Sequence, residues 1–214
     1  MWKKIRVELD KLPYFGVIEV CQLSGLKEAS VRQSLSRWVK QERLIRLKKN
    51  VYITRERWLR WSQLPEFELL VASLIWPKGY VSTEFVLDRF GVLSESVRMV
   101  TGVTLGNGGV RKSLVGDLVF KHLKKDLWGG FEDKLVEGVK IREANLGKAL
   151  FDWFYLRRIG AWNWRSRKYR VVEDLRLNLD SFGFKDKEVF EEWVEKSKSL
   201  KMNYLLISLR RSGW

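Results

Sequence analysis

Few residues of this chain have the types needed for chemistry. Asp117, Glu132 and Lys134 form the set a metal-dependent nuclease would use, with two carboxylates for magnesium and a lysine to stabilise developing charge. Two glycines precede Glu132, however, and Glu132 and Asp133 read as solvated loop charges. A single histidine, His122, excludes a centre built on two imidazoles, and a single cysteine, Cys21, excludes a thiolate cluster and an internal disulfide. Lys121, Lys124 and Lys125 flank His122, which reads as a structural or solvated histidine, with a place on a basic surface as the alternative. The glycines at 106, 108 and 109 lack the Lys-Ser or Lys-Thr pair of a phosphate loop and read as a hairpin turn. These observations predict no metal, no cofactor and no catalysis, and turn attention to binding.

The binding signals are cationic. The formal net charge is +15, and residues 1 to 62 carry 15 Lys and Arg against 6 Asp and Glu, whereas the remainder carries 26 against 20. Such a field attracts polyanions over long range without specifying a sequence. Gln33 and Arg37 lie one helical turn apart and bear groups suited to adenine and guanine edges. Between Arg157 and Arg170, cations including Arg165, Arg167 and Lys168 alternate with Trp162, Trp164 and Tyr169 with no acid between them. That pattern suits phosphate contact and base stacking, and equally an acidic protein surface.

Positioning Gln33 and Arg37 requires a helix with one buried face. Val31, Leu35, Trp38 and Val39 repeat at helical spacing, leaving Ala29, Ser30, Gln33, Ser36, Arg37 and Lys40 on the opposite face. Ile18, Val20 and Leu23 precede a turn at Ser24 and Gly25 and form the apolar side of a shorter helix. The chain then alternates through Leu44 to Leu47, turns at Lys48, Lys49 and Asn50, and returns through Val51 to Thr54. Helix, turn, helix and basic hairpin together predict a winged helix-turn-helix. Its candidate DNA contacts are Ser30, Arg32, Gln33, Ser36, Arg37 and Lys40 on the recognition helix and Arg46, Lys48 and Lys49 on the wing. Asn50 suits the turn because its short side chain tolerates left-handed backbone angles. Residues 2 to 12 form a further amphipathic helix ended by Pro13.

Arg55 to Ser62 reads as a connecting helix, and the polar break at Gln63 to Pro65 places a domain boundary between residues 63 and 64. Beyond it an apolar helix runs through Ile75, a turn falls at Pro77 to Gly79, and Ser82 or Thr83 caps a helix stopped by Gly91. From Val97 the period becomes two, with strands fitting Arg111 to Leu114, Leu118 to Leu123 and Val139 to Arg142. Asn145 caps a helix through Leu156, two helices fit Val171 to Leu179 and Lys187 to Leu200, and Tyr204 to Leu209 forms a helix or a docked tail. The predicted class is α+β, a winged helix-turn-helix at residues 1 to 63 and a mixed α+β domain at 64 to 214. No apolar run approaches the ~20 residues of a membrane span, and no leader-like segment opens the chain, so the expected location is the cytoplasm.

Leu23, Ser24, Gly25 and Leu26, then Ser30, Val31, Arg32, Leu35, Ser36 and Arg37, then Leu44, Ile45, Arg46, Val51 and Tyr52 carry a general winged-helix pattern. Downstream come Tyr80, Val81, Ser82 and Gly91, Thr101 and Thr104, Phe120 to Leu123 and Gly129, and finally Ala144, Lys148, Ala149, Leu150 and Asp152. With these residues the chain resembles the AbiEi family of antitoxins from type IV toxin-antitoxin systems. It departs at Asn145, Leu146 and Gly147, where the family's motif has threonine, proline and glutamate. The resemblance implies a DNA-binding transcriptional autorepressor, without catalysis, that counteracts a nucleotidyltransferase-type toxin encoded beside it. The partners expected are operator DNA, such a toxin and a second copy of the chain. The alternatives are a winged-helix regulator with no toxin and the nuclease built on Asp117, Glu132 and Lys134. Lys148 lies in the first turn of its helix, where the dipole disfavours a cation, and an external acidic partner would explain it. Lys148, Arg165, Arg167, Lys168 and Arg170 are accordingly the candidate contacts for a partner or a second nucleic-acid segment.

Overall fold

The computed structural model describes residues 2–159 and 169–214, which form a mixed α+β fold in two compact units. The first unit comprises Met1–Ile75 with Lys134–Ile141, and the second Trp76–Asp133 with Arg142–Trp214. The helix expected to open the second domain therefore groups with the first unit.

In the first unit, α1 (Trp2–Lys11) is followed by α2 (Val17–Ser24) and α3 (Glu28–Lys40), then β1 (Leu44–Lys48), β2 (Val51–Thr54), α4 (Arg55–Trp61) and α5 (Phe67–Ile75). Ile5, Leu9, Val20, Val31, Leu35 and Trp38 meet in one buried cluster, with Cys21 packed at its edge. The apolar face of α2 is Val17 and Val20, not Ile18 and Leu23, which are exposed. At about 100° per residue, a helix that begins by burying Val17 returns to the core at Val20 and Cys21 and turns Ile18 outward. Gly25 ends α2 at φ 69°, and its N–H donates to the Cys21 carbonyl at 2.9 Å. An L-residue with a side chain resists that left-handed conformation.

The antiparallel pair β1–β2 carries the turn at Asn50, which has φ 61° as its residue type suggests. Asn50 also has a role that spacing does not reveal. Its Oδ1 accepts the Val17 N–H at 2.9 Å, while the Gly16 N–H donates to Glu19 at 2.7 Å. Phe15 and Tyr52 exchange backbone hydrogen bonds at 2.8 and 2.9 Å, joining the approach to α2 to the hairpin. Hydrogen bonds thus tie the start of α2 to the hairpin.

The second unit is organised on a six-stranded sheet in the order β5-β6-β4-β3-β8-β7, formed by β3 (Gly79–Val81), β4 (Val100–Thr104), β5 (Gly109–Ser113), β6 (Gly116–His122), β7 (Phe131–Val136) and β8 (Val139–Ala144). The β7–β8 tip groups with the first unit. Strand β6 lies between β4 and β5 and runs parallel to β4, so the glycine-rich segment at 106 to 109 is a crossover into β5 and not the turn of a β4–β5 hairpin. The hairpin turn falls instead between Ser113 and Gly116. Two strands escape period-two reading: β3, which is buried along its whole length, and β7, where Glu132 and Asp133 occupy strand positions.

Helices α6 (Glu84–Arg89), α7 (Leu146–Leu156), α8 (Val171–Asp174), α9 (Phe184–Ser197) and α10 (Leu200–Arg211) complete the unit. Thr83 stands at the N-cap position of α6, but its side chain makes no capping hydrogen bond. Thr101 supplies one from the neighbouring strand, its Oγ1 accepting the Phe85 N–H at 2.9 Å. Helix α8 ends well before Leu179, because Arg176 turns left-handed at φ 50° and the Leu177 N–H returns to the Val172 carbonyl. Asn145 caps α7 as expected, accepting the Lys148 N–H at 2.8 Å. At the other end of α7, Lys201 Nζ donates to the carbonyls of Phe154, Tyr155 and Arg157 at 2.7 to 3.1 Å, a cation where the helix dipole is negative. The stretch Tyr204 to Leu209 is helical, within α10. Among the described residues no helix is long and apolar enough to cross a membrane.

Candidate functional site

Two groups of predicted residues separate cleanly, one on the surface of the first unit and one in the core of the second. With Val31, Leu35 and Trp38 buried, α3 leaves Ser30, Arg32, Gln33, Ser36, Arg37 and Lys40 exposed. Arg32 is tied to Glu28 one turn back at 2.6 Å, a pair on an exposed helix surface that competes weakly with an outside anion. Arg37 and Lys40 have no ion-pair partner among the described residues. They are in the last turn, where the dipole favours cations.

On the hairpin, Arg46 and Lys49 are exposed, and Arg46 Nε reaches the Lys48 carbonyl at 3.4 Å. Lys48 departs from the expectation of a free phosphate contact. It is half-buried, and its Nζ lies 3.5 Å from the Ile75 carbonyl. Of the predicted DNA contacts, the exposed cations without an ion-pair partner among the described residues are therefore Arg37, Lys40, Arg46 and Lys49.

Beneath this surface a buried polar cluster holds α1 to α4, and sequence reasoning missed it. Arg57, which is 6% exposed, donates to the Asp10 carbonyl and lies 3.3 Å from Glu137. Thr54 caps α4 by accepting the Arg57 N–H at 3.1 Å and donates its own hydroxyl to Asp10. Burial pushes the Asp10 carboxyl up, but hydrogen bonds from Thr54 and Arg60 and the charges of Arg60 and Arg57 outweigh it and hold the carboxyl below its usual range. The Thr-x-x-Arg spacing at a helix start, with an acid in α1, was the available signal.

In the second unit Lys148 is not a surface cation. Its side chain and that of Asp152 are 0% exposed and pair at 2.6 Å across one turn of α7. Nζ also donates to the Leu127 carbonyl at 2.9 Å and sits 4.1 Å from the Trp193 ring centroid. The second carboxylate oxygen of Asp152 accepts the hydroxyls of Tyr80 and Ser82, both at 2.8 Å. Burial pushes the Asp152 carboxyl up and the Lys148 amine down, and each partner's charge opposes that shift. The explanation for a cation in the first turn is thus an internal acid at i+4, and no external partner is required. Tyr80, Ser82, Lys148 and Asp152 are fold-building residues.

Gly147 has an equally local cause. A Cβ there would fall 2.2 Å from the Asp186 carbonyl oxygen, because α9 crosses α7 at this point. No side chain fits there unless that backbone shifts.

The remaining candidate residues lie apart. Asp117 is on β6 and Glu132 and Lys134 are on β7, with β4, β3 and β8 between them, so the nuclease set is not assembled. Among the described residues no group of acids, histidine or cysteine is arranged to hold a metal. His122 is exposed at the end of β6, with Nδ1 3.1 Å from the Gly106 carbonyl. Arg170 is exposed and lies 4.0 Å from Glu173. Arg165, Arg167 and Lys168, with Trp162 and Trp164, fall outside the described residues.

No known protein-family model and no curated protein matches the chain.

Proposed function

We propose that the chain is a DNA-binding transcriptional repressor whose first unit is a winged helix-turn-helix, acting by binding and not by catalysis. One observation carries this reading: α3 exposes Gln33, Arg37 and Lys40 opposite its buried face, on the same compact unit as the outward Arg46 and Lys49 of the hairpin. In this reading α3 enters the major groove, which is wide enough for a helix. Arg37 reads guanine O6 and N7, Gln33 reads adenine N6 and N7, and Ser30 and Ser36 bond whatever edge or phosphate lies beside them. Lys40, Arg46 and Lys49 hold phosphates and fix the register. Arg32, held by Glu28, adds little.

The resemblance to AbiEi antitoxins supports a partner function for the second unit, directed against a nucleotidyltransferase-type toxin encoded beside this chain. The burial of Lys148 removes it from that surface, and the exposed Arg158 and Arg170 flank the segment that carries the remaining candidate contacts. Fluorescence anisotropy of the full chain with duplex DNA from upstream of its own reading frame, against a scrambled duplex, tests the repressor reading. Tighter binding to the upstream DNA, falling steeply with salt, is the expected result. Equal affinity for both duplexes removes the repressor reading, and failure to rescue cells from the neighbouring gene product removes the antitoxin reading alone.

A further inference from the structure

The second unit contains a groove of about 810 Å³ beside α6 and β4, lined in part by Arg98, Arg157 and Arg176. This volume is in the range of small-molecule sites. Its charges divide into those already neutralised and those left over. Lys121 is 3.5 Å from Glu84 and compensates it. Arg98 and Arg176 are exposed and form no ion pair among the described residues, and Arg157 lies over the Trp153 ring at 4.8 Å. Against these three guanidinium groups stand Glu95 and Asp174, and one Asp174 oxygen already accepts the Arg170 N–H at 3.0 Å. A positive surplus remains.

The rest of the lining mixes the hydroxyls of Ser94, Ser96 and Thr101 with apolar side chains. Met99, Leu175 and the 4%-exposed Trp153 contribute to it, and the indole N–H of Trp153 has no acceptor among the described residues. Two residues at or next to the lining have positive φ. Arg176 itself is left-handed at φ 50°. Thr83, next to Glu84, is held at φ 60° and ψ −134°, a region that a β-branched residue rarely enters. Its hydroxyl donates to Thr101, a residue of the groove wall, at 2.8 Å. Strain of this kind persists where surrounding structure over-determines it, and it clusters at binding sites.

We infer that this groove binds a small anion carrying an apolar ring, with the ring against Met99 and Leu175 and the anionic group held by Arg98, Arg157 and Arg176. The planar guanidinium fork matches the paired oxygens of a carboxylate or a phosphate. A nucleoside monophosphate and an aromatic carboxylate share this chemistry. Calorimetry on the full chain with AMP and with 1-naphthoate separates the two sources, and adenosine and inorganic phosphate serve as half-ligands. The expected result is that one ring-bearing anion binds with Kd below about 1 mM, and that each half-ligand binds at least about tenfold more weakly.

Arg98→Ala and Arg176→Gly should each weaken that binding by about tenfold, the usual size of a lost charge-assisted contact. Arg176→Gly also relaxes the left-handed backbone, so the fold does not depend on the side chain removed. Lys3→Ala, at an exposed lysine of the other unit, should leave the affinity unchanged. Failure of both AMP and naphthoate to bind, equal binding by a half-ligand, or affinity unaltered by the two arginine variants would overturn the site.

Discussion

Lys148→Met removes one member of the fully buried Lys148–Asp152 pair. It replaces the ammonium with an apolar group of similar length and leaves Asp152 wholly buried, with only the Tyr80 and Ser82 hydroxyls as donors at 2.8 Å. Breaking a buried pair by removing one partner costs about 3 to 5 kcal/mol, because the remaining charge is uncompensated. Urea denaturation at neutral pH, followed by tryptophan fluorescence and far-ultraviolet circular dichroism, should show a deficit of that size.

The deficit carries a pH signature. Without Lys148, burial raises the Asp152 carboxyl further above its unfolded value, since the opposing charge is gone. A group whose folded pKa is raised contributes stability that is complete below the unfolded pKa and is lost as pH rises through the folded value. The gap between variant and parent should therefore narrow as pH falls toward the ordinary carboxylate range. Adding Asp152→Leu should recover part of the loss, offset by about 1 to 3 kcal/mol for each hydroxyl left without its acceptor. A neutral-pH deficit below about 1 kcal/mol, or one that is constant with pH, would refute the idea that the pair is a buried ionic anchor.

Gly147→Ala places a Cβ where the Asp186 carbonyl already stands and should cost about 1 to 3 kcal/mol in the same denaturation assay, and Gly147→Glu should cost more. Lys49→Ala should flatten the slope of log K against log salt by about 0.9, whereas Lys48→Ala should change it less, because Lys48 is half-buried beside the Ile75 carbonyl. An equal change for the two would return Lys48 to the interface. Asp10 has a folded pKa below its unfolded value, so its contribution is present above the unfolded pKa and lost as pH falls through the folded one. Asp10→Asn should flatten the acid limb of the stability profile, and an unchanged limb would show that Thr54, Arg57 and Arg60 do not hold that carboxylate.

What could be read from the sequence was what repeats along it. The α3 face was legible because Val31, Leu35 and Trp38 recur at helical spacing, and the Asn145 cap and the Asn50 turn because their residue types satisfy local geometry. Contacts that depend on chain crossings were not legible. The internal partner of Lys148 stands at i+4 within α7, yet its burial is decided by Tyr80, Leu127 and Trp193 from elsewhere in the chain. Thr101 caps a helix in another part of the sequence, and β6 inserts between β4 and β5. A strand buried on both faces, such as β3, shows no alternation to detect. At the candidate interface, exposure of Gln33 and Arg37 followed from period alone, whereas the diversion of Lys48 depended on α5.

The central claim is that α3 reads bases in duplex DNA. Its most direct test is a binding titration of the full chain and of Arg37→Ala on the preferred upstream duplex and on a scrambled one. If Arg37 makes a bidentate base contact, the variant should lose about 1 to 3 kcal/mol on the preferred duplex and much less on the scrambled one. Equal losses on both duplexes, or no loss on either, would contradict base reading by α3.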